Sequence, residues 1–90
     1  MSDVRVQLVT RVGCHLCAQA RDVVTRVVPA GEWEELDVDD PAAEESFRAE
    51  HTDWVPVVLL DGRVFDRFRV DEGRLRRALA APGGRRWRPW

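Results

Sequence analysis

The chain has 90 residues and a net charge of −2, from 14 basic and 16 acidic side chains. That is room for one domain and not two, and it carries no general nucleic-acid footprint. Apolar residues make up 44% and charged residues 33%, a globular balance rather than a disordered one. All 14 basic residues are arginine.

Met1-Ser2-Asp3-Val4-Arg5 has no basic stretch leading into a long apolar one, so no signal peptide is visible. The longest apolar run, Val55 to Leu60, is far short of a membrane span. A soluble, cytoplasmic, monomeric protein is expected. Its two cysteines stand three positions apart. That argues against a structural disulfide framework and for redox or metal chemistry.

In chain order, Val4 to Thr10 alternates apolar and polar with β-branched enrichment, a first strand. Arg11-Val12-Gly13 is a short loop. From Leu16 the period changes. Leu16, Ala20, Val23, Val24 and Val27 share one helical face, and Gln19, Asp22, Thr25 and Arg26 take the other. Pro29-Ala30-Gly31 stops this helix. Its valines are indifferent helix formers, so burial must hold it.

Trp33 to Val38 reads as a weaker strand, with Leu36 and Val38 facing a core. A second helix is expected to open at Asp40 as N-cap and Pro41 as first helical residue, with Glu44 and Glu45 near its positive end. Residues 51–54 read as a loop. Val57 to Leu60 is a strand buried on both faces, Asp61-Gly62 is a hairpin turn, and Arg63 to Phe68 pairs back. Asp71 caps a last helix whose inward face is Leu75, Ala78 and Leu79, with Arg74, Arg76 and Arg77 solvated. Pro82-Gly83-Gly84 ends it.

The order is β-α-β-α-β-β-α. The first half can form a parallel βαβ unit and the second a hairpin plus helix. Together they make one α/β domain, residues 1–82, with a mixed four-stranded sheet flanked by helices. Residues 83–90 form a short basic, aromatic tail, Arg85-Arg86-Trp87-Arg88-Pro89-Trp90 being its cationic part. Such a tail either binds an acidic partner or simply frays.

Chemistry concentrates at Gly13-Cys14-His15-Leu16-Cys17, between a strand and a helix. The i, i+3 spacing at a helix start brings both sulfurs to one face. The first sulfur meets unpaired backbone N–H groups and the positive end of the helix dipole, which favour a thiolate. A thiolate attacks disulfides, so Cys14 is assigned as nucleophile and Cys17 as resolving thiol. A zinc site is the rival: Cys-x-x-Cys is also half of many zinc sites, but only His15 and His51 remain to complete four ligands. Incidental cysteines in a non-enzymatic binding module are the other alternative.

The strand before this motif, the helix after it, and Val55-Pro56 entering a buried strand together resemble the thioredoxin superfamily, and within it the glutaredoxin-like proteins, over roughly residues 4–81. The resemblance implies a thioredoxin-like fold and thiol–disulfide oxidoreductase activity. It also implies a cis Val55-Pro56 bond beside Cys14, whose backbone accepts a substrate segment as an extra strand. Independent of any resemblance, proline lacks the N–H a central strand needs and belongs at a strand's first residue.

Other candidate contacts are two-sided. Arg11, where glutaredoxins commonly carry a basic residue, either steadies the thiolate or binds a carboxylate, or is a solvated strand end. His15 either adds positive charge near the thiolate or is an inert first-turn residue. His51 reads as a plain loop residue. Trp54 is either an apolar wall for substrate or a packing residue, and Trp33 is core or sheet edge. Asp71 caps its helix and is a candidate contact for a γ-glutamyl amine.

The resemblance departs from the family pattern in two places. The common Cys-Pro-Tyr-Cys has become Cys14-His15-Leu16-Cys17. The Gly-Gly-acidic turn that holds glutathione has become Phe68-Arg69-Val70-Asp71-Glu72, where Cβ atoms crowd the approach. The expected partners are a disulfide-containing protein or a low-molecular-weight thiol substrate, and a thiol reductant, either glutathione or a thioredoxin reductase-type donor. Glutathione is expected to serve poorly. No metal or organic cofactor, nucleic acid or membrane is called for.

Overall fold

The computed structural model describes residues 4–81; the 83–90 tail lies outside the described residues. Seven elements follow one another: β1 (Val6–Thr10), α1 (His15–Val27), β2 (Trp33–Asp37), α2 (Glu45–His51), β3 (Val57–Leu60), β4 (Arg63–Arg67) and α3 (Glu72–Ala80). They make one sheet in the order β2-β1-β3-β4. β1 and β2 run parallel, joined by α1, whereas β1 with β3 and β3 with β4 run antiparallel. This is the mixed four-stranded sheet expected from the element order, in the thioredoxin-like form that the resemblance implies.

The period-two pattern of the strands sorts the core into two clusters. On one face Val6, Leu8 and Val58 meet Ala20, Val24 and Val28 from the α1 region and Leu75 of α3. On the other, Val9, Val38, Val57 and Leu59 are covered by Phe47 of α2, Val55 and Val64. Burying each large side chain fully is worth about 1.5–3 kcal/mol, which is how a valine-rich α1 is held. Trp33 is partly buried against the first cluster.

The hairpin turns at Asp61 and Gly62, both at positive φ (54° and 85°), as an Asp-Gly two-residue loop requires. Arg5 grips Asp61 with two bonds, Nε to Oδ1 at 3.0 Å and Nη2 to Oδ2 at 3.1 Å. Asp71 caps α3, its carboxylate accepting from the Arg74 N–H at 3.0 Å. Leu75 of α3 is fully buried.

The structure corrects the sequence reading around α2. The helix starts at Glu45 after an extended Glu44 that makes no side-chain cap, not at Pro41. Asp40 instead closes a separate turn, accepting from Ala42 N–H through its carboxylate (2.8 Å) and from Ala43 N–H through its carbonyl (2.9 Å). An aspartate bonding its own backbone two residues on competes with helix initiation. The same error displaced His51. It is not a loop residue but the last of α2, 4% exposed and edge-on to Phe47 at 4.9 Å. Strand ends also shift: β1 starts at Val6, β2 stops at Asp37, and β4 stops at Arg67, where Phe68 turns to φ 66°. No helix among the described residues is long and apolar enough to cross a membrane.

Candidate active site

The parallel and antiparallel pairings bring three loops to one end of the sheet. β1 ends at Thr10 and leads into the cysteine motif. β3 starts there, with Val57 opposite Val9, so Trp54-Val55-Pro56 enters from the same end. β4 ends there too, with Arg67 opposite Val57.

Gly13 takes φ 80° and turns the chain into α1. Cys14 is the N-cap of α1 in an extended conformation, and its sulfur accepts the Cys17 N–H at 3.1 Å. That sulfur therefore sits among the unpaired amides of the helix start, as the motif spacing predicts. Cys14 is half-buried and Cys17 is buried, and both are free thiols. The Cys17 thiol is pushed up to about 11, first by burial and then by its hydrogen bond with the Cys14 side chain. The backbone of Arg11 and the charge of Arg21 act in the opposite direction.

Two guanidiniums flank the motif, and each already holds a carboxylate. Arg11 reaches Asp39 with Nε (2.7 Å) and Nη2 (3.0 Å), and Thr52 through its hydroxyl (2.7 Å) and carbonyl (3.1 Å). Arg11 is thereby clamped to residues of its own chain. The clamp ties the end of β1 to the ends of β2 and α2. Asp39 is held below the usual carboxylate range by the Arg11 hydrogen bonds. Arg21, one helical turn beyond Cys17, makes a bidentate pair with Glu35 at 2.9 and 2.6 Å. The buried Thr10 hydroxyl donates to the same carboxylate at 2.6 Å. Glu35 is lowered, chiefly by Arg21. Arg11, Val12, Gly13, Cys14, His15, Ala18 and Arg21 line a shallow depression of about 480 Å³. His15 is exposed at its rim.

The Val55-Pro56 bond is cis, as the resemblance implied. Pro56 is buried, and its carbonyl accepts the Phe68 N–H at 2.7 Å. Val55 packs on the second core cluster, and its backbone makes no hydrogen bond among the described residues. Trp54 is 43% exposed and stands against Phe68, ring centroids 5.7 Å apart, with the Arg67 guanidinium 5.0 Å from its centroid. Asp71 is engaged as the α3 cap, and its own N–H donates to Asp66 at 3.2 Å. Among the described residues no three histidine, cysteine, aspartate or glutamate side chains converge as a metal-binding group.

Sequence reasoning missed Arg21, Glu35, Arg67 and the conformation of Phe68. Arg21 was visible as the residue four beyond Cys17, on the same helix face. Its Glu35 partner depends on the β1–β2 register, which no local pattern reveals.

Residues 5–80 match the family described as Glutaredoxin-like domain (DUF836). The chain is 38% identical over 84 residues to uncharacterized proteins of Mycobacterium tuberculosis and Mycobacterium bovis, covering 89% of this chain and 87% of each relative. It is 30% identical over 78 residues to a glutaredoxin-like protein of Dictyostelium discoideum, covering 80% of this chain and 71% of that one. An X-ray structure of a structural-genomics target from X. campestris superposes with a TM-score of 0.65 at 33% identity, covering 86% of this chain and 99% of that chain. With its Cys-x-x-Cys at the head of α1 and its cis proline at the head of β3, the chain belongs to the glutaredoxin-like domain family.

Proposed function

We propose that the protein is a thiol–disulfide oxidoreductase with Cys14 as nucleophile and Cys17 as resolving thiol. The observation that carries this reading is the asymmetry of the pair. Cys14 is half-buried and its sulfur accepts a helix-start amide, whereas the Cys17 thiol is buried and pushed up to about 11. One sulfur can meet a substrate while the other waits protonated behind it.

In the reaction, Cys14 as thiolate attacks one sulfur of a substrate disulfide. A Cys14–substrate disulfide forms, and the other substrate sulfur leaves as a thiolate. Cys17 gives up its proton and attacks the Cys14 sulfur, releasing the second substrate thiolate. The protein dithiol loses two electrons and two protons, and the substrate disulfide gains both as two thiols. A low-molecular-weight thiol such as glutathione, or a dithiol donor of the thioredoxin reductase type, returns the protein to the dithiol. The open backbone of Val55 suits an extended substrate segment paired beside Cys14. The reading fits a reducing compartment such as the cytoplasm.

Single-turnover reduction of bis(2-hydroxyethyl) disulfide by the pre-reduced chain tests it. Each chain should release two substrate thiols. Cys14→Ser should release none, and Cys17→Ser should stop at a mixed disulfide on Cys14. Equal thiol release from wild type and Cys14→Ser would refute the assignment, leaving a binding module with incidental cysteines.

A further inference from the structure

Phe68 is out of place by the ordinary rules. It follows β4 at φ 66°, a left-handed conformation in which Cβ crowds the backbone and which bulky residues rarely adopt. Nor does burial explain it, because the residue is 41% exposed. A bulky residue held in a disfavoured conformation and left at the surface points to function rather than packing.

The neighbourhood says what that function selects. The Phe68 amide is tied to Pro56, and its ring stands against Trp54. On its other side Phe68 borders a depression of about 180 Å³ with Gln19, Ala20, Val23, Arg69 and Val70. Leu16, between the two cysteines and 38% exposed, lies on the same α1 face as Ala20 and Val23. Phe68 thus stands between Trp54 and the α1 face that begins at Leu16.

Asp66 and Asp71 line a depression with Arg67 and Arg69, but Asp66 pairs with Arg74 and Asp71 caps α3. Arg11 and Arg21, on the other flank of the motif, are paired with Asp39 and Glu35. Arg67 and Arg69 are exposed and make no ion pair among the described residues. Arg67 instead lies over the Trp54 ring.

Resting on the oxidoreductase reading above, we infer that Phe68, Trp54, Arg67 and Arg69 form a selectivity platform. It takes a polypeptide disulfide with a large apolar side chain and a carboxylate next to its cysteine. The apolar side chain lies on the Phe68–Trp54 rings, the carboxylate meets the free guanidiniums, and the cysteine sulfur is presented to Cys14. Phe68 is a specificity residue and takes no part in the electron transfer.

The test uses the full pre-reduced chain and three disulfides. These are bis(2-hydroxyethyl) disulfide, the homodisulfide of Ac-Glu-Phe-Cys-Ala-NH2, and that of Ac-Gly-Ser-Cys-Ala-NH2. Wild type should reduce the acidic aromatic peptide about five- to tenfold faster than the Gly-Ser peptide at limiting substrate, the scale of an aromatic contact with a cation beside it. Phe68→Asn keeps the turn, because asparagine tolerates positive φ, and should bring the ratio close to one. Arg67→Gln should lower it while leaving a preference for the aromatic side chain, and added salt should lower it in wild type. Equal wild-type rates for the two peptides, or a preference that survives Phe68→Asn, would overturn the platform alone. Failure of wild type to reduce any of the three would overturn the oxidoreductase reading, and the platform with it.

Discussion

The amide of Cys17 donates to the sulfur of Cys14 at 3.1 Å, so the two motif cysteines are joined across the first turn of α1 before any disulfide forms. The contact keeps the outer sulfur at the helix start and the inner one behind it. Alkylation of the reduced chain at neutral pH should therefore modify Cys14 first, with Cys17 protected by burial. Peptide mass mapping after partial labelling checks this, and preferential modification of Cys17 would reverse the assigned roles.

The raised Cys17 thiol makes stability depend on alkaline pH. In the unfolded chain this thiol ionises near its ordinary value of 9.0, while in the folded chain it holds its proton to about 11. Within that window the native state binds more protons than the unfolded state, so stability falls as pH rises. The contribution is fully present below pH 9 and is lost by about pH 11. A two-unit shift sets an upper bound of about 3 kcal/mol. Denaturant melts of the reduced protein across this window should show a steeper decline for wild type than for Cys17→Ala; parallel declines would show that burial does not hold the proton there.

Arg11 is a clamp between elements, through Asp39 and Thr52. Arg11→Leu and Asp39→Asn should each lower the melting temperature, Arg11→Leu the more because it also loses Thr52, and the double variant should melt little below Arg11→Leu alone, which already lacks the Asp39 contact. The deficit should shrink as salt rises, since the pair is open to solvent. Additive losses would mean that the two residues act separately.

Glutathione should be a poor substrate for this chain. By the resemblance, the turn after β4 carries Arg69 and Val70 before Asp71 where related proteins carry glycines, and beside it the Phe68 ring stands against Trp54. A glutathione-coupled disulfide reduction assay should show slow turnover, with faster turnover when a dithiol donor replaces glutathione. Rates like those of an ordinary dithiol glutaredoxin, lost in Cys14→Ser, would show that the side chains at this turn do not obstruct the ligand.

Much of this was legible in the chain itself. The alternation of Val4 to Thr10, the α1 face of Ala20 and Val24, the Asp61-Gly62 turn and the Asp71 cap are local patterns, and each formed where its pattern lay, with β1 starting two residues late at Val6. Cys14 and Cys17 could be read as a helix-start pair because i, i+3 spacing is also local. What escaped depends on distant partners. The start of α2 was misread because Asp40 satisfies its own turn rather than a helix. Burial of His51 depends on where Phe47 is placed. The Arg21–Glu35 and Arg11–Asp39 pairs depend on strand register. Phe68 could not be foreseen at positive φ, since a phenylalanine there contradicts its own propensity.

In the proposed reaction Cys14 and Cys17 act as one two-electron couple. Equilibrating the protein in buffers of graded thiol–disulfide potential, then trapping free thiols with a mass tag, measures it directly. Both cysteines should lose reactivity together in a single two-electron transition, with a midpoint in the range of thioredoxins and glutaredoxins, about −200 to −270 mV. The oxidised species should be an intramolecular disulfide. Two cysteines that change independently, or that take up the buffer thiol separately without ever bonding to each other, would contradict the account.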